Sequence, residues 1–179
     1  MSLTRSKERV SDLGEVFTPS HIVDEMHSLL PKKNWSDKTI IYLEPTCGNG
    51  QFLVAAVQKK MDSGLTPEQA VNTTFGMDIM RDNIEDARLR VLGIVLDKVR
   101  GDRKRLVRTA SIIVNNIFKV KDSLEFISGG SLFDEDMTAW EAKCFFDADP
   151  TGHGMVLAKG DRGDVTCQAR ELIKKAGRK

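Results

Sequence analysis

The chain has 179 residues, 40% hydrophobic and 30% charged, with Lys+Arg 27 against Asp+Glu 26 for a formal net charge of +1. At ~150 residues per domain this is the composition of one globular domain, which argues against collagen, a disordered tail or a mucin-like stalk. There is no global positive field, so any nucleic-acid site has to come from a local patch.

In chain order, residues 1–15 read as a polar, loosely ordered lead-in and residues 16–179 as a single domain. Thr18-Pro19 supplies a helix start, with Thr as N-cap and Pro at the first helical position. Behind it Ile22, Val23, Met26, Leu29 and Leu30 predict one apolar helix face ending near Pro31. Thr39-Ile40-Ile41-Tyr42-Leu43 is rich in β-formers and predicts a buried strand. It runs into Glu44-Pro45-Thr46-Cys47-Gly48-Asn49-Gly50, whose glycines suit a tight turn. Gln51 to Asp62 predicts a helix stopped by Gly64, and Thr66-Pro67-Glu68-Gln69 restarts a short one with a capping-box pattern.

Thr73 to Ile79 predicts a second strand, and residues 81–98 a long helix with Ile84, Ala87, Val91, Leu92 and Val95 on one face. Ile117 to Asp122 alternates apolar and polar residues and predicts a third strand. Farther on, Phe145-Phe146 and Met155-Val156-Leu157-Ala158 are candidate strand pieces, and Gln168 to Lys175 a final helix. The alternation of strand and helix predicts an α/β fold: a doubly wound, mostly parallel sheet with flanking helices. Ligands of such sheets sit beyond the carboxyl ends of the strands. Glu44 to Gly50, Asp78 and Asp122 are therefore expected to converge on one crevice.

The chemistry of that crevice follows from its residues. The turn is G-N-G, without the G-x-G-x-x-G spacing of a dinucleotide pyrophosphate site. An acid at its start, Glu44, is wrong for pyrophosphate and suits a ligand with a positive centre. Asp78, at the end of the second strand, is placed to accept hydrogen bonds from ribose hydroxyls. It lies farther from Gly50 than the ~20 residues of the dinucleotide fingerprint, and the extra turn at Thr66-Pro67 absorbs the difference. A ligand with an ammonium or sulfonium, a carboxylate and a ribose meets these demands, and S-adenosylmethionine is one. The rival reading, a dinucleotide-dependent oxidoreductase, is disfavoured by the loop spacing.

Other residue types add little. Cys47, Cys144 and Cys167 form neither a disulfide framework nor a zinc pattern, His21, His27 and His153 form no ligand pair, and no metal is expected. Cys47 reads as a small packing residue, since no base is placed to activate it. Lys98, Arg100, Arg103, Lys104, Arg105 and Arg108 are a basic run that suits either phosphate contacts or a solvated helix end. No apolar stretch approaches the ~20 residues of a membrane span, and the polar N-terminus does not read as a signal peptide. A cytoplasmic protein with no membrane partner is expected.

At four places in order the chain resembles the N6-adenine DNA methyltransferases of restriction–modification systems. Gly14-Glu15-Val16-Phe17-Thr18-Pro19 is similar to the family's N-terminal motif. Glu44 through Phe52 resembles its glycine-rich motif, Gly76-Met77-Asp78-Ile79 its second, acid-bearing motif, and Asn116-Ile117-Phe118 through Asp122-Ser123-Leu124 its third. The resemblance spans roughly residues 14–126 and implies a Rossmann-like methyltransferase fold binding S-adenosyl-L-methionine. It implies that Phe17, Thr18 and Pro19 cover the cofactor and that Glu44, with Pro45 and Thr46, meets its positive end. Gly48, Gly50 and Phe52 would form the turn, Asp78 and Ile79 would hold the ribose side, and Asp122 with Leu124 the adenine.

DNA is the implied substrate. The family's further motif, Asn or Asp followed by Pro-Pro and an aromatic, holds the target amine of a flipped base. No Pro-Pro occurs in this chain. The nearest stretch is Phe146-Asp147-Ala148-Asp149-Pro150-Thr151, so no catalytic residue is assigned. These 179 residues also leave little room for a target-recognition region. The alternative is thus a degenerate or partner-dependent module that binds the cofactor without transferring its methyl group, a partner chain supplying target recognition.

Overall fold

The computed structural model describes residues 4–120, 123, 147–148, 155–156 and 165–177. Part of the expected lead-in is helical. Residues Lys7–Leu13 form helix α1, capped by the Ser6 hydroxyl, which accepts the Arg9 N–H at 3.2 Å, and ended by Gly14 in the left-handed region. It is held by charge. Arg5 pairs with Asp86 at 2.5 Å, and Arg9 with Asp82 and, at 2.6 Å, with Glu15.

Helix α2, Ser20–Ser28, begins one residue later than Thr18-Pro19 predicts, with Pro19 at the cap and no side-chain cap bond. Its expected apolar face is mostly outside: of the five predicted positions only Val23 is buried, while Met26 and Leu29 are 50% and 84% exposed. The inward partner of Val23 is His27. Its ring lies among Trp35 of the short helix α3 (Lys33–Ser36), Tyr42 and Phe52, and its Nε2 is 2.9 Å from the Tyr42 hydroxyl. Burial among these rings pushes the His27 pKa down, with the Lys59 ammonium adding to the effect.

Strand β1, Tyr42–Glu44, leads through the glycine turn into α4, Gln51–Asp62. Helix α5, Pro67–Asn72, carries the capping box: the Thr66 hydroxyl accepts from Gln69 N and the Gln69 side chain accepts from Thr66 N. Strand β2 is Thr74–Asp78 and α6 is Arg81–Val99, whose buried positions include all five predicted apolar ones. A helix not predicted from the sequence follows, α7 at Arg103–Asn116, with the Asp102 carboxylate capping it by accepting from Lys104 N and Arg105 N, then β3 at Ile117–Lys119. Asn116 ends α7 buried and donates to the Val71 and Asn72 carbonyls at 3.0 and 3.1 Å, satisfying the last acceptors of α5. Of the later candidates, Met155–Val156 forms β5 and pairs antiparallel with β4, Asp147–Ala148, which was not predicted as a strand, while Phe145, Phe146, Leu157 and Ala158 lie outside the described residues. Helix α8, Val165–Ala176, contains the predicted final helix.

The three strands pair in parallel in the order β1-β2-β3, with Glu44 opposite Gly76 and Asp78 opposite Lys119. Among the described residues the order is sequential, the order of one half of a doubly wound sheet, and the sheet is small. All three strand ends therefore lie along one edge. Helices α4 to α8 bury Leu53, Val57, Val91, Leu92, Val95, Ile113, Ala169 and Leu172 together with Ile117 of β3, while Leu43, Met77, Phe118 and Val120 make a smaller cluster. Every residue of β2 is buried, as a central parallel strand requires.

One buried residue breaks the apolar rule. Lys60, on α4, is fully buried, and its ammonium nitrogen donates to Thr73 O and Oγ1, both at 2.7 Å, and to Ile40 O at 3.3 Å. It ties the chain before β1 to the chain before β2. Burial alone lowers its pKa from 10.5 to about 7.

Candidate functional site

The site is built at the carboxyl edge of the sheet by local rules. After Glu44 the chain stays joined to β2 by Cys47 N donating to Met77 O at 2.8 Å, then turns tightly as Gly50 N donates to Cys47 O at 2.8 Å. The turn needs glycine twice. Gly48 has φ +50°, and a Cβ there would lie 3.3 Å from the Phe17 ring. Gly50 has φ +85°, and a Cβ there would lie 2.9 Å from both Cα and Cβ of Ala87 on α6. Gly50→Ala adds left-handed strain to a clash with helix backbone, and is expected to cost about 2–3 kcal/mol in urea unfolding.

Asp78 ends β2, 8% exposed, and its carboxylate organises the edge. Oδ2 accepts the Gly48 N–H at 2.9 Å. Oδ1 accepts the Met80 N–H at 2.7 Å and an Asn83 amide N–H at 3.3 Å. Three of a carboxylate's roughly four acceptor sites are thus taken. A single further donor, such as a hydroxyl, fits without rearrangement. Val120 N donates to Asp78 O at 3.0 Å and carries the β3 edge to the same place. Asp122 and Leu124, predicted to complete the site, lie outside the described residues.

Glu44 is half-buried. Burial pushes its carboxyl pKa up, while hydrogen bonds from the Thr46 backbone and side chain pull it down. A cation placed beside it would favour its ionised form. Cys47 is buried, and desolvation, with the nearby Asp78 and Glu44 charges, drives its thiol pKa up, so it offers no thiolate nucleophile.

The predicted residues do not all meet. Phe17, Gly48 and Asp78 come together, with Phe17 against the turn and the Arg5 guanidinium 5.8 Å from its ring centre. Thr18 and Pro19, half-buried, follow Phe17 into α2, and Pro45 and Thr46 line the way to the turn. Phe52 instead joins the His27 cluster, its ring 5.5 Å from the imidazole. Ile79 is 41% exposed beside Asp78.

Two supports were missed from sequence. Arg90, half-way along α6, donates to Asn49 O and Oδ1 at 3.0 Å and to Gln51 Oε1 at 2.7 Å, clamping the turn from behind. Asn83 links Asp78 to α1. Its signal was its place one turn into the helix after the acid, which puts a polar side chain back toward the strand end. Arg88, between them on the same helix, donates to the Ile117 and Val114 carbonyls at 2.7 and 2.8 Å and to Gln168 of α8 at 3.1 Å.

The basic run is elsewhere. The 19 residues of α6 carry the chain about 28 Å away from the Asp78 edge, at 1.5 Å per residue, before Arg100 is reached. There Arg105 pairs with Glu68 and Arg100 with Asp97. Among the described residues no cluster of three or more His, Cys, Asp or Glu could hold a metal ion, and no helix is long and apolar enough to cross a membrane.

An α/β domain whose parallel strand ends present acids across a glycine turn is built to take a ligand at that edge. Within this class the chain belongs to the N-6 DNA methylase family, whose family model matches residues 3–134. The match takes in α1, the turn, Asp78 and β3. No curated protein and no solved structure matches the chain.

Proposed function

We propose that this chain is an S-adenosylmethionine-dependent methyltransferase domain of the adenine-N6 DNA type, with a Rossmann-like, doubly wound sheet, working in the cytoplasm of its cell. The observation that carries the reading is the Gly48 N–H···Asp78 bond. It joins the glycine turn to the acid of the second strand at one edge, where family membership calls for a cofactor. The residues fit the group. The Gly48 position leaves backbone free of side chain beneath Phe17, and Asp78 keeps room for a ribose hydroxyl. Glu44 stands where a positive centre is favoured.

Bound there, S-adenosylmethionine supplies a methyl group activated on a sulfonium sulfur. The chain's own contribution is alignment and electrostatics. Asp78 holds a ribose hydroxyl at the acceptor site that its Gly48, Met80 and Asn83 donors leave over. Glu44 offsets positive charge, Phe17 and Pro19 cover the ligand, and Asp122 and Leu124 meet the adenine.

A second reading has one specific observation in its favour: no Pro-Pro-aromatic sequence exists to grip the target amine. The chain would then bind the cofactor and depend on a partner chain for target recognition and transfer. Thermal unfolding with S-adenosylmethionine, S-adenosylhomocysteine or NAD tests the site. A ligand at ~100 times its Kd adds about 2.7 kcal/mol, or a Tm rise of roughly 5–10 °C. The two adenosyl ligands are expected to give it and NAD is not; a rise with NAD alone would sink both readings. Labelled methyl transfer to adenine-containing DNA then separates them, since binding without incorporation favours the second.

A further inference from the structure

We infer that helix α1 positions the Asp78 carboxylate through Asn83, so that docking of α1 and filling of the strand-end site strengthen each other. The identity of the ligand rests on the proposed function; the coupling itself rests on contacts within the chain.

Asn83 is 2% exposed and its amide is committed on both sides. Its nitrogen donates to Glu15 Oε1 at 2.6 Å and to Asp78 Oδ1 at 3.3 Å, and its oxygen accepts from Arg5 Nε at 3.1 Å. Two of these three partners flank α1, so the docked N-terminal segment sets the angle of the amide. Glu15 is held in turn by Arg9, 2.6 Å away, which also pairs with Asp82. The shorter bond goes to Glu15, which leaves the Asp78 contact as the adjustable one.

The contacts close into a ring. Arg5 reaches Asn83, Asn83 reaches Asp78, Asp78 accepts from Gly48, Gly48 lies under the Phe17 ring, and the Arg5 guanidinium stands 5.8 Å from the centre of that ring. Two arms from the N-terminal segment thus end on the two halves of the site. Glu15 Oε2 and Arg9 Nε are both buried with no partner among the described residues, so the network has slack at its Arg9–Glu15 end. A ligand that fixes Asp78 and Gly48 fixes the seats of both arms, and by linkage α1 docking favours that ligand by the same factor. Asn83, Glu15 and Arg9 are positioning residues here.

The test uses the full chain with Arg9→Ala, Arg9→Lys and Asn83→Asp. Asn83→Asp replaces two donors with acceptors and sets three carboxylates together. The first readout needs no ligand: amide NMR signals of Gly48 and Met80, the two backbone donors to Asp78. Both are expected to shift in Arg9→Ala and Asn83→Asp and to stay near native in Arg9→Lys. The second is calorimetric affinity for S-adenosylhomocysteine, expected to weaken about tenfold in Arg9→Ala, the scale of one hydrogen bond to a charged group. The third is hydrogen exchange of α1 amides, expected to slow when that ligand binds.

Unmoved Gly48 and Met80 signals in Arg9→Ala overturn the inference, as does native affinity in that variant. A native chain that binds no S-adenosylhomocysteine defeats the functional reading instead, and the amide signals still decide the coupling. Should Asn83→Asp fail to fold, Arg9→Ala, altered in a partly exposed side chain, still separates coupling from its absence.

Discussion

Replacing Lys60 by methionine is expected to raise stability at pH 7 by about 1–2 kcal/mol, and the advantage is expected to vanish by pH 10. The Lys60 ammonium is buried with carbonyl and hydroxyl partners and, among the described residues, no carboxylate partner, and its pKa falls from 10.5 to about 7. Between those values the unfolded chain holds a proton that the folded chain has released. Stability therefore rises with pH across that window by about 1.4 kcal/mol per unit, and burial of Lys60 costs roughly 4 kcal/mol at pH 7. Methionine removes that cost and forfeits hydrogen bonds worth about 1 kcal/mol each. Thr73 O keeps a donor in Tyr42 N at 2.9 Å, and Thr73 Oγ1 still donates to Gln69 O.

The buried Cys47 thiol and Tyr42 phenol, both with raised pKa values, make stability fall at alkaline pH. They are common to both proteins and cancel in the difference. Urea unfolding of the two at pH 7, 8, 9 and 10 is the measurement. A difference that does not change with pH would mean that Lys60 stays charged in the folded chain.

Asp78→Ala is expected to destabilise the protein by about 3–5 kcal/mol, a Tm fall of roughly 10 °C or more, and to abolish adenosyl-ligand binding. The carboxylate is the acceptor for Gly48 N, Met80 N and Asn83 Nδ2 at once. Alanine leaves the buried Asn83 donor and the part-buried Gly48 and Met80 donors without their acceptor, and an unmet buried donor costs about 1–3 kcal/mol. Asp78→Asn keeps shape and one oxygen but turns an NH2 toward a backbone N–H, so a smaller loss of about 1–3 kcal/mol is expected, with binding still lost. Thermal unfolding and calorimetry on the two variants check this. An Asp78→Asn protein that folds yet binds like the native chain would remove Asp78 from the ligand's contacts.

Those donors show how far the sequence could be read. Where a boundary rests on one residue's backbone chemistry, it was legible: Gly50 starts α4 and Thr66-Pro67 with Gln69 starts α5, both at the predicted places. The α6 face was legible because Ile84, Ala87, Val91, Leu92 and Val95 keep helical period over a long run. Helix α7 was not. Its first turns, Arg103 to Arg108, read as a charge run, and Ile112-Ile113-Val114 has the β-branched look of a strand. Its one local signal is Asp102, which caps the first turn; the packing of α5 and α8 against the helix leaves no mark on the local sequence.

Helix α2 misled for a related reason. Periodicity marks an apolar stripe, yet His27 is the residue taken inside, because the Tyr42 hydroxyl satisfies its Nε2 and three rings surround it. At the site, the ends of β1 and β2 were legible as acids after strands. The polar ties from Arg5, Glu15 and Asn83 were not, since they join residues more than sixty positions apart.

Helix α6 touches the acid of β2, the glycine turn and β3 within three turns. Asn83 steadies the acid, Ala87 receives the turn at Gly50, Arg88 holds the start of β3 and the final helix, and Arg90 clamps Asn49 and Gln51. Each added residue rotates a helix by about 100°. A one-residue insertion or deletion between Asn83 and Arg90 would therefore swing half of these supports off their targets while leaving the others seated. The residue count of that stretch is fixed by these seats: here the chain tolerates some changes of spelling and forbids changes of length.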